Sequence, residues 1–335
     1  MPDQTPQSRT PKIRNSDERP ARTGGSGVQH IVITAEHAGQ RVDNFLMREL
    51  KGVPRAHVYR VIRSGDVRID KKRCKPERKL QIGEVLRVPP FSGRESGESA
   101  QVSPALAQRL EAAVLAEAED FIVINKPSGL AVHAGSGIHL GLIEALRQIK
   151  PSWQRAELAH RLDRETSGCL LIAKNGAFLK FAQDQFRDKT VSKRYLALVH
   201  GEWPQSAERV DAPLLKETIG DGERIVKVHP EGKPSVTRFS VEKRFPGASL
   251  VCASPETGRT HQIRVHCQSR GHAIVGDSKY TQPGVTRPAL TAKSLCLHAQ
   301  RLAFAPAKDA EVLEFEAPLD GSFERLLRRL ENYQA

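Results

Sequence analysis

No stretch of the 335-residue sequence approaches the roughly 18 consecutive apolar residues that a membrane-spanning helix requires, so a bilayer-inserted protein is not expected. The five cysteines, Cys74, Cys169, Cys252, Cys267 and Cys296, are odd in number, widely scattered and without a C-x-x-C pair. They read as reduced thiols in a cytoplasmic protein. The N-terminus has no apolar core of a secretory signal. Residues 1–27 are rich in Arg, Ser, Thr and Pro, but Asp3, Asp17 and Glu18 and the want of an amphipathic pattern argue against an organelle transit peptide. A disordered basic tail over 1–29 is the expectation. There is no H-E-x-x-H pair, and Lys126-Pro127-Ser128-Gly129 lacks the second glycine and the Lys-Ser/Thr ending of a P-loop. That tetrapeptide reads instead as a turn after a strand. No internal repeat is present.

What the chain does have is positive charge. The formal net charge is +13, which calls for a polyanionic partner. From Arg41 to Arg87 there are fourteen Lys or Arg against six Asp or Glu, a surplus of eight. The same stretch carries helical spacing at Val42, Phe45, Leu46 and Leu50 (helix over Gln40–Leu50) and at Val58, Val61 and Ile62 (helix over Arg55–Ser64, stopped at Gly65). Short strand signals lie at His30–Thr34, Val67–Ile69 and Val85–Val88. This compact basic unit, placed at 30–90, looks like an S4 domain, a small RNA-binding module. Its expected RNA-facing cations are Arg55, Arg60, Arg63, Arg68, Lys71, Lys72 and Arg73. With Phe45 and Tyr59 its only aromatics, phosphate and shape contacts are expected over base stacking. The plainer alternative is a solvated basic face.

A Ser-, Gly-, Glu- and Pro-rich stretch at 91–105 reads as a linker to a second domain over 106–335. Apolar runs at Phe121–Ile124, Cys169–Ala173, Tyr195–Val199, Leu250–Ala253 and Leu295–Leu297 predict strands. Helical patterns fall between them at Gly141–Ile149, Ala177–Arg187 and Thr260–Arg270. Interleaving without a repeated βαβ period points to an α+β fold with a mixed, largely antiparallel sheet and flanking helices.

The chemically suggestive segment is His160-Arg161-Leu162-Asp163-Arg164-Glu165-Thr166-Ser167-Gly168, with one carboxylate between two arginines. Positive charge close by would keep Asp163 ionised, fitting a nucleophile or electrostatic stabiliser. Taken alone, the segment reads more readily as a salt-bridged turn or helix cap. Likewise, His261, His266 and His272 read as structural hydrogen-bonding residues rather than metal ligands, because the first two are five apart and do not share a helix face. No metal and no cofactor are expected.

In order along the chain stand Asn125-Lys126-Pro127-Ser128-Gly129, His160 to Gly168, Lys193-Arg194-Tyr195-Leu196-Ala197-Leu198-Val199, Gly258-Arg259-Thr260-His261-Gln262-Ile263-Arg264-Val265-His266, Gly276-Asp277-Ser278-Lys279-Tyr280 and Leu295-Cys296-Leu297-His298-Ala299. This series resembles the RluA family of pseudouridine synthases from roughly Val28 to Leu330. The resemblance implies the pseudouridine synthase fold and a catalytic Asp163. It implies that Tyr195 lies against the uracil, with a hydroxyl that could take the C5 proton, and that Arg264 pairs with Asp163. Ile263 becomes a wall of the pocket, and Arg161, with Arg164 and His160 beside it, a substrate contact able to fill the space left by a flipped base.

Leu50 to Pro54, Gly65 to Arg68, Pro89-Pro90, Gly222 to Val226 and Glu231 to Ser235 resemble the branch that acts on large-subunit (23S) ribosomal RNA, so that RNA or its precursor particle is the expected partner of a monomeric enzyme. Cys169 departs from the pattern, where an aliphatic residue is commoner. The readings left open are a synthase acting on transfer RNA or another ribosomal site, a hydrolase using Glu165 as second carboxylate, and a non-catalytic S4-domain assembly factor.

Overall fold

In the computed structural model, which describes residues 27–50, 53, 55–90, 101–134, 138, 140–219, 223–281, 290 and 292–332, the chain divides into two compact units on either side of residue 100. The expected tail and linker lie largely outside the described residues. Gln29 already begins a strand, and at the linker's far end Pro104 opens a helix whose N-cap, Ser103, accepts the Leu106 amide at 3.2 Å.

The first unit runs β1 (Gln29–Val32), α1 (Val42–Glu49), α2 (Arg55–Ser64), β2 (Arg68–Ile69), β3 (Lys72–Arg73) and β4 (Val85–Val88). Val42, Phe45 and Leu46 from α1 and Val58, Val61 and Ile62 from α2 are buried with Val67, Leu80, Leu86 and Val88. The helical spacing in the sequence thus marks the face that packs on the sheet. The sheet order is β1-β4-β2-β3. Between β2 and β3 the chain reverses at Asp70 and Lys71, whose φ values of 47° and 68° are those of a two-residue turn matched to strand twist. β3 was not foreseen, because Lys72 and Arg73 are both exposed and leave no apolar alternation.

The second unit holds α3 (Pro104–Ala112), β5 (Val114–Glu117), β6 (Phe121–Lys126), α4 (Leu142–Ile149), β7 (Glu157–Leu158), β8 (Ser167–Ala173), α5 (Gly176–Asp188), β9 (Ser192–His200), β10 (Arg209–Asp211), β11 (Leu214–Ile219) and β12 (Glu223–Val228). It continues with β13 (Val236–Phe245), β14 (Ala248–Pro255), α6 (Gln262–Ser269), β15 (Leu297–Phe304), β16 (Leu313–Glu316) and α7 (Gly321–Asn332). The main sheet runs β10-β13-β14-β9-β15-β8-β6-β5, with β16 on β15 and β7 on β8. Among the described residues its strands pair antiparallel except β8 with β15. The fold is α+β, with helices packed on a mixed sheet.

The apolar runs are continuous rather than alternating because the middle strands are covered on both faces. Ile122, Ile124, Leu170 and Ile172 face a core shared with α4, whereas Phe121, Val123, Cys169, Leu171 and Ala173 face one shared with α5. One expected strand is displaced: Leu295 and Cys296 precede β15, which runs on to Phe304. Half-buried Gln300 and Arg301 interrupt the apolar pattern in its middle, and Arg301 reaches Glu314 at 3.3 Å and Glu316 at 3.0 Å.

Candidate active site

Asp163 sits on the loop between β7 and β8, its side chain about one-fifth exposed. The loop is anchored at both ends. On the downstream side Gly168 has φ +109° and lies so close to β15 that a Cβ would meet the Ala299 carbonyl oxygen at 2.2 Å, which admits no other residue. Next to it, Ser167 Oγ lies 2.9 Å from His298 Nδ1, whose Nε2 in turn lies 3.0 Å from the Ala317 carbonyl oxygen. Upstream, His160 Nε2 accepts the Leu171 amide at 3.0 Å while its ring packs on Phe186 at 4.5 Å. Burial, then the Lys193 charge, depresses this imidazole to about 3, so it is neutral.

A second clamp comes from the Lys126 to Gly129 turn after β6. Lys126 is fully buried, and its Nζ donates to the carbonyls of Pro127, Leu130 and Arg164 at 2.8, 2.9 and 3.0 Å. Ser128 Oγ donates to the Glu165 carbonyl at 2.7 Å, and the Gly129 amide donates to Arg164 at 3.0 Å. Burial lowers the ammonium to about 7 against the pull of Glu165 and Asp163. The sequence had marked this turn, but not the lysine that ties it to the aspartate loop.

Facing Asp163 is α6, which starts from His261 in the left-handed region, φ 55°. Arg264 Nη1 lies 3.8 Å from Asp163 Oδ2, and His261 Nε2 lies 3.9 Å from the same oxygen. The pairing expected for Arg264 is therefore present only at long range. Its close partner is Asp277, which accepts from Nε at 2.8 Å and from Nη2 at 2.7 Å. Burial works against the charge on Arg264, but hydrogen bonding and charge from Asp277, then the charge of Asp163, outweigh it and raise its pKa. Asp277 is lowered below its usual value by the same contact, again in the face of burial. His261 is pulled down by burial, partly offset by Asp163, so the imidazole beside the carboxylate is neutral at neutral pH.

The positive charge next to Asp163 thus comes from α6 and not from its sequence neighbours. Arg161 is exposed, and among the described residues neither it nor Arg164 makes an ion pair with Asp163. Arg164 donates to the Gly129 carbonyl at 3.1 Å and meets Glu165 at 3.3 Å. Local spacing suggested charge that the fold commits elsewhere in the case of Arg164 and leaves exposed in that of Arg161. Tyr195, half-buried on β9, is close enough for burial and the Asp163 charge to push its phenol well above the ordinary value. Burial and that charge thus keep it a neutral phenol in the fold. Ile263 is buried in the core under β9 and β14, directly beside Arg264.

His266 and His272 make hydrogen bonds within the fold. His266 lies 2.9 Å from Thr237 Oγ1, and His272 Nδ1 lies 2.8 Å from the His200 carbonyl oxygen. Among the described residues no group of three or more His, Cys, Asp or Glu is placed to hold a metal.

In the first unit, Arg60, Arg63, Arg68, Lys71, Lys72 and Arg73 are exposed; nothing is described of the Arg55 side chain. Arg68 donates to the Gly65 carbonyl at 2.9 Å and Arg73 to that of Ser64 at 2.7 Å, so two of these cations are oriented by backbone while remaining open to solvent. Among the described residues no helix is long and apolar enough to cross a membrane.

Residues 120–269, which include the Asp163 loop and α6, match the RNA pseudouridylate synthase family, and residues 40–86 match the S4 domain. The ribosomal large subunit pseudouridine synthase C of Escherichia coli K12 is 48% identical over 317 residues, covering 93% of this chain and 99% of the relative. The enzyme of the same name from Pasteurella multocida is 49% identical over 314 residues, covering 90% and 94%. The solved human RNA pseudouridylate synthase domain containing 4 superposes with a TM-score of 0.57 at 28% identity, covering 68% of this chain and 96% of its own. A likeness that runs nearly end to end through both units, at such identity, is not a borrowed fragment: the chain belongs to the RluA-type RNA pseudouridylate synthases and is an RNA pseudouridine synthase carrying an S4 domain ahead of its catalytic part.

Proposed function

We propose that this enzyme isomerises uridines of large-subunit (23S) ribosomal RNA, free or in its precursor particle, with Asp163 as the reacting carboxylate and the target base flipped from its stack. The substrate class rests on the relatives, which are named for the ribosomal large subunit. The observation that carries the chemistry is a partly exposed carboxylate faced at 3.8 Å by a buried arginine.

The reaction breaks the N1–C1′ bond, retains and turns the uracil, and joins C5 to C1′. The C5 proton leaves and N1 takes one up, so atoms and charge balance with no redox partner. A carboxylate suits this because it can act at the glycosidic centre or the base while a cation steadies it. Tyr195 supports the retained ring, Ile263 walls the pocket, and Arg161, exposed on the same loop, is free to enter the space a flipped nucleotide leaves. Arg164 and His160 hold that loop and reach substrate only through it. The cations of the 30–90 unit, joined through 91–105 to the catalytic part at 106–335, bind RNA phosphates. The enzyme works as a monomer in the cytoplasm.

Two measurements test this. Mapping pseudouridine in ribosomal RNA from cells with and without the gene should show losses confined to the large subunit; losses in transfer RNA would overturn the substrate assignment. The Asp163→Asn enzyme should bind RNA and release no tritium from uracil C5. A variant that still restored modification would remove Asp163 from the chemistry, and free uracil from the wild type would mean hydrolysis.

A further inference from the structure

Arg264 is not alone in facing Asp163. His261 Nε2 lies 3.9 Å from Asp163 Oδ2, on a side chain 18% exposed beside a carboxylate 21% exposed. That separation is too long for a hydrogen bond, and Nε2 makes none among the described residues. The residue opens α6 from the left-handed region, φ 55°, a conformation uncommon outside glycine. Its neighbour Gln262 helps to hold it there, accepting the Arg259 amide at 3.0 Å and donating to the Val236 carbonyl at 2.9 Å.

The other ring nitrogen is committed. Nδ1 lies 2.7 Å from the Tyr280 hydroxyl oxygen, which also accepts the Val226 amide of β12 at 3.1 Å. Tyr280 is buried in a cluster with Leu214, Val226 and Val265, and burial holds its phenol above the ordinary value, so it keeps its proton. With the amide on one side of the oxygen, the phenolic hydrogen has one acceptor within reach among the described residues, His261 Nδ1. Burial, then Arg264 and Lys279, outweigh the pull of Asp163 and Asp277 on this imidazole, so the ring is neutral and carries its one proton on Nε2. The other tautomer would aim Nδ1–H at the phenol and strand the hydroxyl hydrogen in the interior. The backbone of β12 thus fixes, through one phenol, a neutral N–H donor beside the carboxylate.

We propose that His261 is a catalytic residue whose Nε2–H donates a hydrogen bond to a uracil carbonyl oxygen and stabilises the anion formed when the N1–C1′ bond breaks. The proposal rests on the reading of Asp163 as the reacting group. If that carboxylate adds to C1′ or if it takes a proton from the ribose, the electron pair of the broken bond leaves on the base in both cases. The negative charge passes from Asp163 to the uracil, spread over N1, O2 and O4. A neutral imidazole is too weak an acid to protonate that anion, so it steadies the charge and leaves C5 its electron density. O2 is the carbonyl next to the breaking bond. A half-turn of the base about its N3–C6 axis exchanges N1 with C5 and O2 with O4, so the same fixed donor meets O4 when C5 faces C1′.

The test compares His261→Asn with His261→Gln, in the full-length enzyme, on large-subunit ribosomal RNA transcribed with tritium at uracil C5. Asparagine tolerates the left-handed backbone and can still accept from Tyr280 near the Nδ1 position, but it leaves no donor at the Nε2 position. It should lower kcat by about 30-fold or more, with KM within about 3-fold, as removal of one donor to a developing oxyanion does. Glutamine reaches the Nε2 position with an amide N–H and should be at least about 5-fold faster than asparagine. A residue that merely held Tyr280 would give the reverse order. A smaller loss for His261→Asn, or a His261→Gln enzyme without that advantage, overturns the proposal. Nitrogen-15 NMR of the histidine-labelled wild type gives the tautomer, with His261 assigned by its loss in His261→Asn or, should that variant fail to fold, by its shift in Tyr280→Phe. A bare Nδ1 is expected, and a protonated Nδ1 overturns the proposal whichever variant folds. An active Asp163→Asn enzyme would bring down the underlying reading instead. An inert Asp163→Asn beside a His261→Asn of wild-type kcat would bring down this inference alone.

Discussion

The expected RNA-facing cations of the first unit and the groups that face Asp163 in the second handle charge in opposite ways. In the first, Arg60, Arg63, Arg68, Lys71, Lys72 and Arg73 stand in solvent, anchored where they are anchored by backbone carbonyls or an aromatic ring. In the second, Arg264, Asp277 and Lys126 near Asp163 are buried and committed to named partners: Arg264 to Asp277, and Lys126 to three carbonyls. Exposed cations act additively and are screened by salt, which suits a surface that must grip a phosphate backbone without reading it. Buried pairs cannot be lost singly, because the survivor is left uncompensated in a poorly polarisable interior. The difference shows where single substitutions should be severe and where several are needed.

The largest effect is expected from Arg264→Met, which strands the buried Asp277 carboxylate. A loss of about 3–5 kcal/mol is typical of breaking a buried pair from one side. The catalytic unit should melt lower by roughly 6–20 °C at the usual scaling for its size. Arg63→Ala, which removes an exposed guanidinium lying 5.9 Å from the Tyr59 ring, should cost about 1 kcal/mol at most. Calorimetry on both variants makes the comparison, and equal shifts would erase the distinction between the units.

Next comes Lys126→Met. Three carbonyls lose their donor, and the turn after β6 loses one of its ties to the aspartate loop, so stability should fall by about 1–3 kcal/mol and kcat by on the order of 10-fold. The lysine also leaves a pH signature. Its ammonium titrates near 10.5 when free and at about 7 in the fold, so between those values the unfolded chain holds the extra proton. Wild-type stability should therefore rise with pH across that window, relative to Lys126→Met, by up to about 1.4 kcal/mol per pH unit. Denaturant titrations at the two ends of the window measure it; parallel curves would mean that the three carbonyls keep the ammonium charged throughout.

How much of this could be read from the sequence follows the same division. Helix positions in the first unit and the apolar cores of β6, β8, β9 and β14 were legible because periodicity and two-sided burial leave direct marks. Asp163, Tyr195, Ile263 and Arg264 stood out as motif residues, and the structure brings the first and last to 3.8 Å. The real partner of Arg264 was not legible, since Asp277 is thirteen residues away across a turn whose course depends on a close approach to Ser294. Nor was the idleness of Arg161 and Arg164 toward Asp163, because neighbours in sequence share a loop without sharing a face. Lys126 lay in a noted motif, yet a buried lysine serving carbonyls looks like any surface lysine until the fold covers it.

The first unit invites a milder test. Replacing Lys71, Lys72 and Arg73 together by Ala removes up to three exposed cations from the β2–β3 hairpin. If each neutralises one phosphate, the slope of log binding constant against log salt should shrink by about 0.7–0.9 per contact, so by about 2–3 in all. Single replacements should be hard to detect at low salt. Filter binding across a salt series gives the slope, and an unchanged slope would move the RNA-binding surface elsewhere on the unit.

The smallest effect tests the buried side of the comparison at a residue with no role in pairing charge. His160 titrates near 6.5 when free but at about 3 in the fold, because burial and then Lys193 oppose its protonation. Between those values the unfolded chain binds the proton and the folded one does not, so stability should fall as pH drops from about 6.5 toward 3. In His160→Gln the amide oxygen can still accept the Leu171 amide, as Nε2 does at 3.0 Å, without carrying a titrating group. The variant should match wild type at neutral pH to within about 1 kcal/mol and gain on it as the solution is acidified. Urea midpoints at pH 7 and pH 5 resolve the two, and a wild type no more acid-sensitive than the variant would show that the imidazole reaches solvent and has been wrongly assigned to the loop's anchor.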